Sequence, residues 1–278
     1  MRRTLAALIV FIIGVGAVVP AGAQLIPATT RIVRLVGPVE LRLGGGTAPW
    51  APATVGAQLG EQDEIRALGG ASAELSLPDG STLILAENSR FVVSRLRVDS
   101  QNQGRSAIFH LATGKLRAIV NQAAVRLVQL RQSTFAISTP AAVAAVRGTD
   151  LAVTYSSPMT MAVRSGQACC IAVATGIGIP VPDGFTTDSD TGFICAVPKA
   201  MTPQEEQIFY ATINPAGILH PMMNLPVTVV DPTLVESWGC EDLAARLGEQ
   251  PAARGPGGTR PEGFPVPISP STLRPRLP

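Results

Sequence analysis

The chain has 278 residues, of which 46% are hydrophobic, 15% charged and 4% aromatic, and its formal net charge is +2. That hydrophobicity with so little net charge excludes disorder over most of the length. The 27 Gly and 24 Pro exclude a long coiled coil or helical bundle, and two His leave no material for a multi-His metal or catalytic centre.

Arg2 and Arg3 precede an apolar run from Leu5 to Val19 that ends at Pro20. Ala21-Gly22-Ala23 then offers the small-x-small pattern of a signal-peptidase site. Residues 1–23 are therefore expected to be a cleaved leader, with Gln24 as the mature N-terminus. The run is short for a spanning helix, which needs about 20 residues; an uncleaved N-terminal anchor is the alternative. The nearest later candidate, Ala168 to Val181, is interrupted by Gly176, Gly178 and Pro180. The expectation is an exported protein, periplasmic or at the cell surface, with no stable membrane insertion after cleavage.

Without Arg2 and Arg3 the chain holds 20 basic and 20 acidic residues, unevenly placed. Residues 31–165 carry 14 basic and 9 acidic, residues 166–250 carry 2 and 10, and residues 251–278 carry 4 and 1. Arg105, Lys115, Arg117, Arg126, Arg131 and Arg147 fall in a window, 100–149, without an acid. These are expected to be solvated strand faces, and export argues against nucleic acid as a partner.

From Arg31 the pattern is one of short strands and turns. Arg31–Val36 ends at Gly37-Pro38, and Val39–Leu43 ends at Gly44-Gly45-Gly46. Ala73–Leu77 alternates apolar and polar, as a half-buried strand does. Pro78-Asp79-Gly80-Ser81 then supplies a tight turn into Thr82–Leu85. Phe91–Val98 follows, then Ala107–Leu111, which turns at Thr113-Gly114 into Lys115–Val120. Val125–Leu130, Thr134–Ser138, Leu151–Tyr155 and Thr160–Arg164 continue the series, with Asn88, Asn102 and Asn121 at turns. His110 faces away from Phe109 and Leu111, as an exposed or hydrogen-bonded structural residue. Cys170–Val173 and Phe193–Val197 are further strands.

Cys169, Cys170, Cys195 and Cys240 are an even set in an oxidising compartment. The adjacent pair is not expected to bridge to itself, which leaves one bridge to Cys195 and one to Cys240. Thr202-Pro203-Gln204-Glu205 marks a helix start with a capping box, the helix running to about Thr212. Asp231-Pro232 opens a second, with apolar Leu234, Val235, Trp238, Leu243 and Leu247, a break at Gly239 and a C-cap at Gly248. Residues 251–278, with 8 Pro and 4 Gly, have the composition of a disordered tail.

No nucleophile elbow, P-loop or dinucleotide fingerprint is present. His110 and His220 lie in unrelated contexts, and the acid pairs Asp188/Asp190 and Glu205/Glu206 are read as surface charge. The expectation is a non-enzymatic protein with no cofactor, no metal and no catalytic residue.

One ordered set of residues is more specific. Gly37-x-Val39, Trp50, Gly56 and Asp63-x-Ile65 precede the hairpin from Gly70 to Ser81. Leu111-x-x-Gly114-Lys115-Leu116-Arg117-Ala118 follows, and the run closes with Ser138-Thr139-Pro140 and Val146-Arg147-Gly148-Thr149-Asp150. Over about residues 31–175 this series resembles the FecR-domain family of periplasmic proteins. The resemblance implies a mainly β fold of short antiparallel strands, a sandwich or short solenoid. Asp79, Gly80, Ser81, Gly114, Thr139, Pro140, Arg147, Gly148 and Thr149 are then fold signature; Arg147 and Asp150 could pair across a tight turn at Gly148. Residues 176–250 form an extension of strands and one or two short helices. The best-known members of the family regulate sigma factors, relaying an iron-transport signal from an outer-membrane receptor, and carry a cytoplasmic segment and a membrane helix. Here the leader starts at Met1, so the expectation is a stand-alone exported domain acting through an envelope protein partner. A role in iron-responsive signalling through a membrane regulator and a structural or surface-attachment role are the alternatives.

Overall fold

The computed structural model describes residues 25–99, 104–121, 133–189, 192–212, 223 and 226–237. The expected leader, the strand at Val125–Leu130, Asn102, Arg126, Arg131, Asp190, His220, Cys240 and the Pro-rich tail lie outside them, as do the positions of the second helix beyond Ser237.

The fold is mainly β. The strands before the first long one are β1 (Ile26–Pro27), β2 (Thr30–Val36), β3 (Val39–Arg42), β4 (Ala51–Pro52), β5 (Gln58–Leu59), β6 (Glu64–Ala67), β7 (Ser72–Ser76), β8 (Thr82–Leu85) and β9 (Ser89–Val98). Three long strands follow, β10 (Arg105–Ile119), β12 (Ala142–Tyr155) and β13 (Met159–Ala172), with β11 (Ser133–Ser138) between the first two. Then come β14 (Gly178–Val181), β15 (Phe185–Ser189), β16 (Lys199–Ala200) and two helices, α1 (Pro203–Tyr210) and α2 (Pro232–Ser237). The strands form one hydrogen-bonded sheet. Every pairing is antiparallel except that of β10 with β11.

Each long strand serves two half-sheets. Residues 105–113 of β10 pair with β9 and β11, whereas residues 114–119 pair with β8 and β12. Residues 142–147 of β12 lie between β11 and the last part of β13, and residues 150–155 between β10 and the first part of β13. β13 in turn holds β14 along its second part and β15 along its first. The first half-sheet thus runs β4-β3-β6-β9-β10-β11-β12-β13-β14, and the second runs β5-β2-β7-β8-β10-β12-β13-β15-β16. Inward residues of both, among them Phe91, Phe109, Phe135 and Ile137 from the first and Leu75, Leu83, Leu116 and Val153 from the second, form one hydrophobic cluster. The result is a sandwich whose halves are joined through strands that change sheet at a bend.

The bends sit at glycine. Gly114 has φ +90°, and a Cβ there would come within 2.5 Å of the Asn88 carbonyl oxygen. Gly166 also has φ +90°, and its Cβ would meet the Gly148 carbonyl oxygen at 2.5 Å. Only glycine tolerates both the dihedral and the approach. The turns expected at Thr113-Gly114 and at Gly148 are therefore bends inside continuous strands. The chain does not reverse there; it crosses from one half-sheet to the other, with register shifts beside Thr113 and between Arg147 and Asp150.

Other expected strands and the hairpin at Asp79-Gly80 form as expected. β6, β14 and β15 and the first half of β12 were not legible as strands. Phe193–Val197 is not a strand. It is held by one backbone bond, Ala196 N–H to the Asp188 carbonyl (2.7 Å), and by side chains: Thr187 Oγ1 donates to the Ala196 carbonyl (2.6 Å) and Ser189 Oγ to that of Ile194 (3.0 Å). A disulfide joins Cys195 to Cys170, which is one of the two pairings expected; Cys169 is buried.

The C-terminal extension covers the outsides of the sandwich. α1 is capped as expected: Thr202 Oγ1 accepts from Glu205 N–H (3.2 Å), and the Glu205 carboxylate accepts from Thr202 N–H (2.9 Å). The latter bond and Lys199 hold Glu205 at about 2, far below the usual carboxylate value. α1 has no buried residue of its own within the helix. It docks on the second half-sheet through its last turn, where Tyr210 Oη donates to the Ala162 carbonyl (3.2 Å) and its ring lies under the guanidinium of Arg164 (3.7 Å). Met223 and residues 226–237 lie against the first half-sheet.

Candidate functional site

The outer face of the first half-sheet would be expected to meet water, yet its side chains are apolar. Strand alternation places Phe109 and Leu111 in the core, and so Ile108, His110 and Ala112 on this outer face. The register aligns Val92, His110, Ser138, Val143 and Ile171 in one row across five strands. Ile108 and Ala136 adjoin it. All of these except the polar pair His110 and Ser138 are apolar, and all are buried. A sheet apolar on both faces needs a cover, and Met223 with residues 226–237 supplies it as a strap.

The strap is fixed at both ends by charge. At one end Arg90, 2% exposed, donates from Nη1 to the Met223 carbonyl (3.1 Å). Arg90 also grips Glu64 Oε2 through Nε (2.9 Å) and Nη2 (2.7 Å), while Glu64 Oε1 accepts from Arg42 (2.7 Å). Arg66 pairs with Glu40 at 2.6 Å. Trp50 lies over this ladder, its ring centroid 4.2 Å from the Arg66 guanidinium, 4.7 Å from that of Arg42 and 5.4 Å from that of Arg90. At the other end the Glu236 carboxylate takes hydrogen bonds from Arg95 and from Ser106 Oγ. Val235 is buried beside it, in the helix α2 that opens at Asp231, whose Oδ1 accepts from Thr233 N–H (2.8 Å).

Between strap and sheet is a cavity of about 500 Å³. Its floor is His110, Ala112, Pro140 and Val173, and its wall is the extended segment Pro226–Asp231 with Leu234. His110 is fully buried and hydrogen-bonds through Nδ1 to Ser138 Oγ (3.0 Å). It is therefore hydrogen-bonded, as one of the two expectations had it, but not exposed. Burial pushes its imidazole down to about 4. Its Nε2 has no hydrogen-bond partner among the described residues.

The signature residues sit at turns and bends. Asp79 accepts from Ser81 N–H (2.9 Å) inside the β7–β8 turn and pairs with the buried Arg105. Ser81 Oγ accepts from Asn121 N–H (3.0 Å), joining that turn to the end of β10. Thr139 Oγ1 accepts from Ala142 N–H (3.0 Å), closing the turn between β11 and β12 in which Pro140 stands exposed. Thr149 Oγ1 donates to the Gln167 carbonyl (2.7 Å) beside the bend at Gly148. Asp150 accepts from Arg117 Nε (2.9 Å) and Nη2 (2.7 Å), with Arg164 at 3.7 Å; the Arg147 side chain, expected to pair with it, lies outside what is described. Strand register puts Arg117 and Asp150 near one another on paired strands, which their separation in sequence hides.

Three residues of the basic window, Arg105, Lys115 and Arg117, are not solvated faces; Arg126, Arg131 and the Arg147 side chain lie outside what is described. Arg105 is buried and lowered to about 10 by that burial. Arg117 pairs with Asp150, and Lys115 Nζ donates to the carbonyls of Ile208 (2.6 Å) and Ala211 (3.2 Å) at the end of α1. The missing acids come from elsewhere in the chain and from a helix C-terminus. Asp188 accepts from Thr160 Oγ1 (2.6 Å) and Glu206 pairs with Arg164 (2.9 Å), while Asp190 lies outside the described residues. Among the described residues no three His, Cys, Asp or Glu gather in a way that could hold a metal ion.

Fold and face together describe a β sandwich with a strapped outer surface. Residues 63–169 match the model of the FecR protein family, which bears out the resemblance read from the sequence. The match runs from the start of β6 into β13; α1 and the strap lie beyond it. Two crystal structures of a "putative anti-sigma factor" from Parabacteroides distasonis are similar to this chain. Each is 17% identical, with 52% of this chain and 62% of that chain covered and TM-scores of 0.39 and 0.38. The chain therefore spans less than two thirds of that protein. No curated protein matches the sequence.

Proposed function

We propose that the chain is an exported, non-enzymatic module that takes part in signalling in the cell envelope by binding another protein. The observation that carries this reading is the FecR match over residues 63–169. The leader pattern at residues 1–23 supports export, and the Cys170–Cys195 disulfide fits an oxidising compartment. The iron-responsive variant of this reading follows the family's best-known members.

Transcription in the native host tests it. Deleting the coding segment for residues 63–169 is expected to change the transcripts under an extracytoplasmic sigma factor, and restoring the full chain is expected to reverse the change. Fractionation of the restored strain is expected to find the mature chain, starting at Gln24, in the osmotic-shock fluid. An unchanged transcript profile across iron-replete and iron-starved growth would sink the signalling role. Retention of the whole pool in the cytoplasm would sink the export.

A further inference from the structure

We propose that the outer face of the first half-sheet is the docking surface for an extended apolar segment of a partner protein that ends in a carboxylate, and that the strap is the chain's own stand-in for that segment. The inference rests on the reading that the chain binds another protein, and it names the surface and the chemistry of what binds there.

Polar anchors mark both ends of the surface. Arg90 and Arg95 stand on one strand, β9. Arg90 donates to a backbone carbonyl, that of Met223. Arg95 and Ser106 Oγ both donate to a carboxylate, that of Glu236. The face itself carries Val92, Ile108, Ala136, Val143 and Ile171, all buried. It therefore selects a segment with a carbonyl at one end, apolar side chains in the middle and an acid at the other end.

The strap meets that description, but holds on loosely. Its extended part, residues 226–231, pairs with no described strand, so no sheet ladder secures it. Of its side chains from Pro226 to Glu236 only that of Val235 is buried. A cavity of about 500 Å³ lies between it and His110, Ala112, Pro140 and Val173. With so little apolar area buried, its attachment falls to the anchors at its ends. The Glu236 side chain is 33% exposed, so water competes for that anchor.

Ile108, Ala136 and Val143 fall within the family match at residues 63–169, and the strap falls beyond it. The docking face thus belongs to the matched body, and its cover to the extension. A strap seated on a partner's surface is an autoinhibitory contact. The partner displaces it, and binds with an affinity reduced by the fraction of chains in which the strap is open.

The test uses the full mature chain and a synthetic peptide with the sequence of residues 226–237. Glu236→Gln in the chain weakens the strap's acidic anchor and leaves Arg95 and Ser106 to the peptide. Fluorescence anisotropy is expected to show the peptide bound at least roughly tenfold more tightly by the Glu236→Gln chain than by the unaltered one, the size of one charged hydrogen bond. The peptide carrying Glu236→Gln is expected to lose that gain. Val235→Asp, which sets a charge at the strap's buried position, opens it by a second route and is expected to give the same gain. Methyl signals of Ile108, Val143 and Ile171 are expected to move with the peptide and to stay with a scrambled one. Equal affinity of all three chains for the peptide would overturn the autoinhibition. No binding by either variant would overturn the docking surface, and dimerisation of the variants in sedimentation, straps exchanged between copies, would give the face to a second copy instead. A failed peptide leaves the transcript test of signalling untouched, and an unchanged transcript profile beside a bound peptide sinks the signalling role alone.

Discussion

His110 and Arg90 show how differently one face treats two buried basic groups. His110 gives up its charge. An unfolded chain titrates histidine near 6.5, whereas the folded chain holds this one near 4. The unfolded state therefore binds more protons between those values, so its contribution is complete above about pH 6.5 and is lost as pH falls towards 4. The loss is on the order of 3 kcal/mol. Melting curves recorded across this window are expected to be flatter for His110→Leu, and an unchanged slope would contradict the burial argument. Arg90 is instead enclosed by acceptors, the Glu64 carboxylate and the Met223 carbonyl. Arg90→Met leaves Glu64 and Arg42 alone in a buried setting and is expected to cost roughly 3 kcal/mol or more. Glu40→Gln, breaking the more exposed pair with Arg66, is expected to cost under about 1 kcal/mol. Urea titrations of the two variants distinguish them, and equal losses would mean that burial does not set the value of these pairs.

Among the elements, the three long strands carry the least legible part of the fold. Gly114 and Gly166 stop the period-two pattern, and a turn is the ordinary reading of a glycine between two apolar alternations. Whether a chain reverses or merely bends there depends on its partners: β9 crosses at Asn88–Ser89, so close that no Cβ fits. Gly114→Ala and Gly166→Ala are each expected to destabilise by about 2 kcal/mol or more, beyond the usual glycine-to-alanine effect. A stabilised variant would show that the bends are not under steric control. Local signals were read more faithfully. The hairpin at Asp79-Gly80 and the capping box at Thr202 depend on residues within a few positions, and Thr202→Ala is expected to loosen α1 by about 1 kcal/mol, seen in amide exchange of its first turn. The candidate site was the hardest to foresee. His110 was placed on the correct face by alternation, but its cover comes from the strap more than 110 residues later, and no pattern around His110 announces it.

At the scale of the molecule, the Cys170–Cys195 bridge ties the first half-sheet to a segment without strand pairing. It closes a 25-residue separation, and Cys195→Ser is expected to lower stability by roughly 3 kcal/mol. Non-reducing peptide maps are expected to recover the linked peptides, and their absence from oxidised protein would refute the pairing. The strap binds over far longer separations: Met223 to Arg90 spans 133 residues, Glu236 to Ser106 spans 130, and Glu236 to Arg95 spans 141. Contacts of that range form late, because their loop entropy must be overcome first. In chain order the strap follows every described strand. Until the strap docks, the sandwich presents Ile108, Ala136 and Val143 bare, a transient sticky surface that a holding chaperone could recognise and that vanishes once the strap closes over it.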